Sequence, residues 1–391
     1  MSGIYLHIPF CRQACTYCDF HFSTNLERKS ALVDAMCREI VMRKGYLPSR
    51  HSGPGTGGSE SQNKLSTIYF GGGTPSTLTP QELSKILNAI HSVFEVQKKA
   101  EVTFELNPED ADPAYLSEIK KMGINRLSVG LQSFDDDELK WMNRAHSAQQ
   151  SVECIKNAQK AGFENISIDL IYGSRFQWEK NWRETLKKIS GLEVPHISSY
   201  NLTIEGKTKL TNLMLKKEEP EVDSDLSARL FNILMEETAR MGYSHYEISN
   251  FAKPGFMAVH NSNYWRGVPY LGIGPAAHSF NGFTRQFNIK SNTGYIQALE
   301  AGKDFSQEEV LSDMDRYNEY VLTRLRTSWG CDLNEIAELF GHKYKEYFLK
   351  NLYLHEQYII RENNKITLNQ KGKHFADGIA SDLFLVSDET E

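Results

Sequence analysis

Cys11, Cys15 and Cys18 crowd into one short stretch of the chain, in the order Cys-x3-Cys-x2-Cys, while Cys37, Cys154 and Cys331 are scattered. A tight cluster of this kind reads as a metal site and not as a disulfide framework. Three thiolates at this spacing can turn inward onto one small centre. On a four-iron cubane they leave one iron without a protein sulfur. An external ligand can take that position, and S-adenosylmethionine (SAM) chelates such an iron through its amino and carboxylate groups. An electron from the reduced [4Fe-4S] cluster can then break a carbon–sulfur bond and release a 5′-deoxyadenosyl radical. The competing metal is zinc, with His7 or His21 as a fourth ligand, although no second Cys or His knuckle is present to complete a structural zinc site. Cys37 and Cys154 fall in helix-like segments and read as small core residues.

The elements that must hold these residues alternate. Strand-like runs at 4–8, 66–70, 101–106, 126–130, 167–172 and 197–202 are separated by helical patterns. Thr79-Pro80-Gln81-Glu82 has the form of an N-cap, a proline at the first helical position and a capping-box glutamate. Leu83, Ile86, Leu87, Ile90 and Phe94 follow as one apolar stripe. Asp112-Pro113 opens another helix that Gly123 ends, and Ser147 with Gln150 opens a third, reaching Gly162. Such alternation predicts right-handed βαβ units and a parallel sheet. Six units do not close an eight-fold barrel, so the expected fold is α/β, an open partial (β/α)6 barrel over residues 1–300. A Gly/Ser-rich stretch at 52–64 reads as a surface insertion in the first crossover. Residues 301–391 change character: helical patterns at 315–327 and 333–340 precede strands at 358–362 and 366–368 joined by Asn363-Asn364. That order predicts a smaller α+β winged-helix-like domain, with no strongly basic helix or wing, read as a packing or partner-docking unit.

Barrel enzymes build their sites where strands end. The cysteine loop follows the first strand, and Gly71-Gly72-Gly73-Thr74-Pro75 follows the second, where glycines let backbone approach a ligand. Glu105-Leu106-Asn107-Pro108 ends the third, Gly130-Leu131-Gln132 the fourth, with Asn143-Arg144 beyond it, and Asp169 lies in the fifth. Glu105, Gln132, Arg144 and Asp169 are expected to converge on one rim with the cysteines, a mixture suited to a zwitterionic, ribose-bearing ligand. Farther on, His260-Asn261-Ser262-Asn263-Tyr264-Trp265 sets an imidazole, able to ligate haem iron, beside rings able to stack on a porphyrin. Met257 is a weaker second ligand.

A formal net charge of -6 argues against a general nucleic-acid binder. No apolar run approaches the roughly 20 residues of a membrane span, and the first residues lack a secretory pattern, so the expected location is the cytoplasm.

The ordered set HIPFCxxxCxYCDF, FGGGTPS, FELNP, RLSVGLQSF, NRAH, DLIYG, HNSNYW and LGIGPAAHS covers nearly the whole chain. It resembles the radical-SAM coproporphyrinogen III oxidase-like (HemN-like) family, and within it the haem-chaperone branch. The resemblance implies SAM contacts from Tyr5, Tyr17, Gly72, Gly73, Thr74, Glu105, Gln132, Arg144 and Asp169, with Thr203 and His278 at weaker matches. It places haem at His260, Asn261, Tyr264 and Trp265. The family's decarboxylating enzymes carry a fourth cysteine two residues after the third, where this chain has Phe20, and a substantial N-terminal extension, whereas this chain begins just before its first strand. Both departures favour haem binding and delivery to acceptor proteins, respiratory membrane proteins among them, over oxidative decarboxylation. Peripheral contact with the inner face of the cytoplasmic membrane, a homodimer and, where SAM is cleaved, a low-potential electron donor are also implied. The alternatives are oxygen-independent coproporphyrinogen III dehydrogenase, or another radical-SAM reaction such as methyl or alkyl transfer on a large substrate.

Overall fold

The computed structural model of the chain describes residues 2–48 and 64–386. The insertion read at 52–64 lies outside the described residues apart from Lys64, which begins a strand. Strands β1 (Ser2–Ile8), β2 (Lys64–Gly72), β3 (Glu95–Leu106), β4 (Arg126–Gln132), β5 (Asn165–Tyr172) and β6 (His196–Asn201) pair in chain order, all parallel. Helices fill the crossovers for the reasons their sequences give. In Pro80–Val93 the Thr79 side chain accepts from the Glu82 backbone and Glu82 returns to Thr79, a complete capping box. Asp112 caps Pro113–Lys121, Gly123 leaves it at φ +99°, and Ser147 with Gln150 boxes Ala148–Lys160. Leu83, Ile86 and Ile90 turn their stripe into the core, each fully buried, at about 1.5–3 kcal/mol per side chain. Cys154 is buried on its helix and Cys37 half-buried on Lys29–Met42, as small core residues are.

The partial (β/α)6 barrel does not stop at its six strands. On the β6 side, β7 (Ser244–Glu247) and β8 (Asn250–Ala252) add antiparallel. On the other side β9 (Tyr270–Ile273) runs parallel to β1, and β10 (His278–Phe280), β11 (Thr284–Asn288) and β12 (Ser306–Val310) continue antiparallel. Among the described residues this is one open 12-stranded sheet. Glu39, wholly buried on the first helix, ties the added flank down: it accepts from Arg43, the Gly274 backbone, Asn288 and Tyr295.

A second core begins at Tyr317 and includes Val321, Ile336, Phe348 and Ile366. Helix Asp313–Leu325, strand β13 (Cys331–Asp332), helices Leu333–Phe340 and His342–Leu352, then β14 (Ile359–Glu362) and β15 (Lys365–Leu368) follow one another in winged-helix order. β15 pairs antiparallel with both β13 and β14. This unit is fastened to β7 by backbone bonds, Ile248 N to Arg326 O at 3.0 Å and Ser328 N to Tyr246 O at 2.9 Å. The buried Glu247 carboxylate receives the Arg326 guanidinium there at 3.1 Å. No helix among the described residues is long and apolar enough to cross a membrane.

Candidate functional site

The cysteine loop leaves β1 and is held by backbone, not by its sulfurs. Ser23 pairs with Pro9 and Cys11, Thr16 N donates to Met142 O at 3.1 Å, and Leu210 N donates to Thr16 O at 2.9 Å. Asn143 Nδ2 donates to Ala14 O at 2.7 Å from a left-handed backbone, φ 57°. The loop therefore lies across the ends of β1, β2 and the segment after β4, and its three thiols are half-buried and unbridged.

A hydrogen-bonded string joins two of them. Thr74 Oγ1 donates to Cys11 Sγ at 3.3 Å, Asn107 Nδ2 to Thr74 Oγ1 at 3.3 Å, Arg144 Nη2 to Asn107 Oδ1 at 2.8 Å, and Arg144 Nη1 to Cys15 Sγ at 3.4 Å. Arg144 Nη2 also donates to Gly130 O at 2.8 Å, while its Nε is buried without a partner. Burial raises the Cys11 thiol and pushes Cys18 up to about 12, so each keeps its proton until a metal displaces it. Asn107 is the member whose role its motif does not reveal. Its bonds to Thr74 and Arg144 join strand ends more than thirty residues apart, and the Asn-Pro pair at a strand end is the signal that sequence offers.

The glycine triplet gives the loop its room. A Cβ on Gly73 would meet Phe10 O at 2.8 Å and Cys11 Sγ at 3.0 Å, and Gly72, at φ +113°, lies against the His7 ring. Gln132 stands at φ 64° where β4 bulges, a strained position of the kind that gathers at functional sites. Glu105 accepts from Tyr69 at 2.8 Å; burial, followed by the nearby charge of Asp169, pushes it up to about 8. Asp169 accepts from Ser128 at 3.1 Å and is pushed up to about 6 by burial. Tyr5 meets His7 at 3.1 Å on β1, and Tyr17 packs with Met142, Ile171 and Leu210 beside Arg144. Among the described residues, the Thr203 side chain bonds back to Asn201 O.

These groups fit the radical-SAM cofactors. Two enclosed carboxylates, Glu105 and Asp169, both raised chiefly by burial, suit a cationic nucleotide; a lone guanidinium nitrogen and a side-chain-free backbone border the thiols. His7 and His21 are engaged elsewhere: His7 Nε2 donates to His21 O at 2.9 Å and His21 Nε2 meets Asn292 Oδ1 at 2.8 Å. Among the described residues no three His, Cys, Asp or Glu side chains gather around a single-ion position.

The HNSNYW residues form the short helix Val259–Trp265, capped by the Glu101 carboxylate, which accepts from the Val259 and His260 backbone at 2.9 and 2.8 Å. His260 is buried beneath it. Its Nδ1 meets Thr67 Oγ1 and its Nε2 meets Tyr264 OH, both at 2.8 Å. Burial lowers its pKa to about 3, so it is neutral. Both nitrogens thus have protein partners, and the reach to iron expected from the motif requires one to be given up. Asn261 is half-buried beside it and Met257 is 39% exposed. Tyr264 separates two cavities. One, about 750 Å³, lies between the barrel and the C-terminal unit and is lined by Trp265, Arg285, Arg316 and Phe340 among others. The other, about 660 Å³, opens at the barrel mouth beside the cysteine loop.

Comparison with known proteins agrees with this architecture. The Radical SAM superfamily model matches residues 55–189, a span that starts beyond the cysteine loop. The chain is 32% identical over 344 residues to "Heme chaperone HemW" of Bacillus subtilis (strain 168), covering 87% of each chain. It is 31% identical over 394 residues to the protein of the same name from Lactococcus lactis subsp. lactis (strain IL1403), covering 99% of this chain and 98% of that one. In fold it is similar to coproporphyrinogen III oxidase (HemN) from Escherichia coli, a radical SAM enzyme, with a TM-score of 0.81 at 22% identity over 98% of this chain and 90% of that one. Barrel, strand-end residues and near-full-length identity lead to one statement: the chain belongs to the HemW family of the radical-SAM superfamily.

Proposed function

We propose that this protein is a haem chaperone: it binds haem, carries a SAM-ligated [4Fe-4S] cluster on Cys11, Cys15 and Cys18, and passes haem to acceptor proteins. The observation that carries the reading is the string from Cys11 through Thr74, Asn107 and Arg144 to Cys15, in a chain whose aromatic HNSNYW helix walls two cavities. A [4Fe-4S] cluster held by Cys11, Cys15 and Cys18 would supply an iron without a protein ligand, able to take SAM, and reducing power toward its sulfonium. The chain's own residues do the rest. Glu105 and Asp169 supply acceptors and negative charge, Gln132 and the glycine backbone shape the nucleotide's bed, and Arg144 offsets thiolate charge. Haem is held by the Tyr264 side of the HNSNYW helix, and the C-terminal unit is the surface on which acceptors dock.

The test is anaerobic reconstitution followed by two assays on the same sample. Haem titration is expected to saturate at a defined ratio, and coproporphyrinogen III given SAM and a low-potential reductant is expected to remain unconverted. A protein that ignored haem and decarboxylated the porphyrinogen would reverse the reading in favour of the dehydrogenase.

Asn107→Ala is expected to keep the fold but weaken SAM binding by about tenfold, because Arg144 loses its bridge to Thr74 and a charge-assisted hydrogen bond is worth roughly 1.5–3 kcal/mol. Calorimetric titration of the cluster-loaded variant measures this; unchanged affinity would remove Asn107 from the site.

A further inference from the structure

Haem iron takes an imidazole, thiolate, thioether or phenolate from its protein, so the identity of that ligand rests on haem binding itself, as proposed for this chain. The junction cavity offers no imidazole, thiol or thioether in its walls. Its arginines Arg285 and Arg324 are already paired with Glu319 at 2.6 Å and Glu335 at 2.8 Å. Of its tyrosines, Tyr264 holds His260, Tyr320 holds Glu335, and burial raises Tyr270 so that its phenol stays protonated. His260 itself is buried with both nitrogens bonded.

The barrel-mouth cavity shares Tyr264 and Tyr270 with the junction cavity but, unlike it, offers imidazoles. At about 660 Å³ it falls within the ~300–1,000 Å³ of small-molecule sites. Three histidines line it. His7 uses both nitrogens and His21 uses one. His278 is exposed and, among the described residues, has no hydrogen-bond partner on either nitrogen. Its ring is nonetheless oriented, edge-on to Phe287 at 4.8 Å across the β10–β11 pair. Phe20, 68% exposed, also lines the cavity, at the position where a decarboxylase would have its fourth cysteine. Tyr264 and Tyr270 line it too, their rings near-perpendicular at 4.5 Å. Lys290, on the rim, has no ion-pair partner among the described residues and suits a propionate.

We infer that His278, and not His260, supplies the imidazole that ligates haem iron, in the barrel-mouth cavity, with Phe20 and Tyr264 against the porphyrin and Lys290 at a propionate. His260 is then a positioning residue: its Nε2 fixes the Tyr264 hydroxyl and so sets the wall between the two cavities. The HNSNYW helix affects haem through that wall. Because Asp19, Phe20, His21 and Phe22, which follow the third cysteine, also line the cavity, haem and the cluster share one segment of chain.

The experiment titrates ferric haem into the full-length, cluster-loaded protein and follows the Soret band, comparing wild type with His278→Ala, His260→Gln and Tyr264→Phe. His278 is exposed, so its truncation leaves the thermal midpoint unchanged. His278→Ala is expected to lose the imidazole-type spectrum and on the order of tenfold in affinity, and free imidazole in the buffer restores the spectrum. His260→Gln and Tyr264→Phe keep the imidazole-type band, with weaker binding at most. Retention of band and affinity by His278→Ala, with their loss in His260→Gln, would overturn the ligand assignment and leave haem binding standing. A wild type with no haem spectrum would overturn both.

Discussion

Cys15→Ala is expected to give a folded protein that no longer assembles a four-iron cluster. Its loop is anchored through Thr16, Ala14 and Ser23, none of which uses the Cys15 sulfur, so the thermal midpoint stays within a degree or two of wild type. What disappears is one of three thiolates on a centre that has no spare protein ligand, and with it the partner of Arg144 Nη1. A cubane held by two cysteines is not retained. After anaerobic reconstitution and desalting, iron and inorganic sulfide are expected at about a tenth of wild type or less, and reductive SAM cleavage vanishes with them. Cys154→Ala is the control: Cys154 is fully buried on the far helix and should leave iron and sulfide unchanged. Full iron and sulfide in Cys15→Ala, or zinc in place of iron in wild type, would end the cluster assignment. The change also probes the loop that haem and cluster share, since Phe20 and His21 sit a few residues on.

Much of this arrangement could be read from the chain because it is written locally. The six parallel strands are apolar runs bounded by capping boxes at Thr79 and Ser147 and by the Asp112 cap, and each of those signals is complete within four residues. The flanking strands could not be read the same way. β12 reads Ser-Gln-Glu-Glu-Val and is exposed along nearly its whole length, so no alternation marks it, and β8 and β10 have three residues each. Helix His342–Leu352 was hidden behind Gly341, whose φ of 97° separates it from the helix before. At the site, residue types named the chemistry but not the partners. The histidine of HNSNYW looks like a ligand in sequence. Its engagement by Thr67, 193 residues away, is a tertiary fact, as is the bridging of Asn107.

SAM affinity is expected to rise with pH between about 6 and 8, and Glu105→Gln is expected to remove the part of that rise that the carboxylate contributes. Burial, with Asp169 nearby, raises the Glu105 carboxyl to about 8 in the free protein, so below that pH it carries a proton and its negative charge is absent. A ligand bearing a fixed sulfonium charge and ribose hydroxyls favours the ionised carboxylate, which accepts hydrogen bonds on both oxygens and meets positive charge. Binding therefore releases a proton wherever free Glu105 is protonated, and linkage then gives up to about tenfold in affinity per pH unit, levelling off above 8. Asp169, raised to about 6, adds a second, smaller slope at lower pH. Replacing Glu105 with glutamine keeps the size and an acceptor for Tyr69 but cannot ionise. Its binding curve is expected to keep only the slope that the SAM amine imposes from pH 6.5 to 8 and, at pH 8, to be weaker than wild type by roughly 10- to 100-fold. Titration of the oxidised, cluster-loaded protein, in which SAM is bound but not cleaved, reads this directly, and proton uptake in two buffers of different ionisation heat reads the release. The SAM amine also titrates in this range, but it does so equally in both proteins, so the difference between them isolates the carboxylate. Parallel pH profiles for wild type and Glu105→Gln would place Glu105 outside the nucleotide's reach and leave Asp169 as the only carboxylate of the pair still able to face its charge.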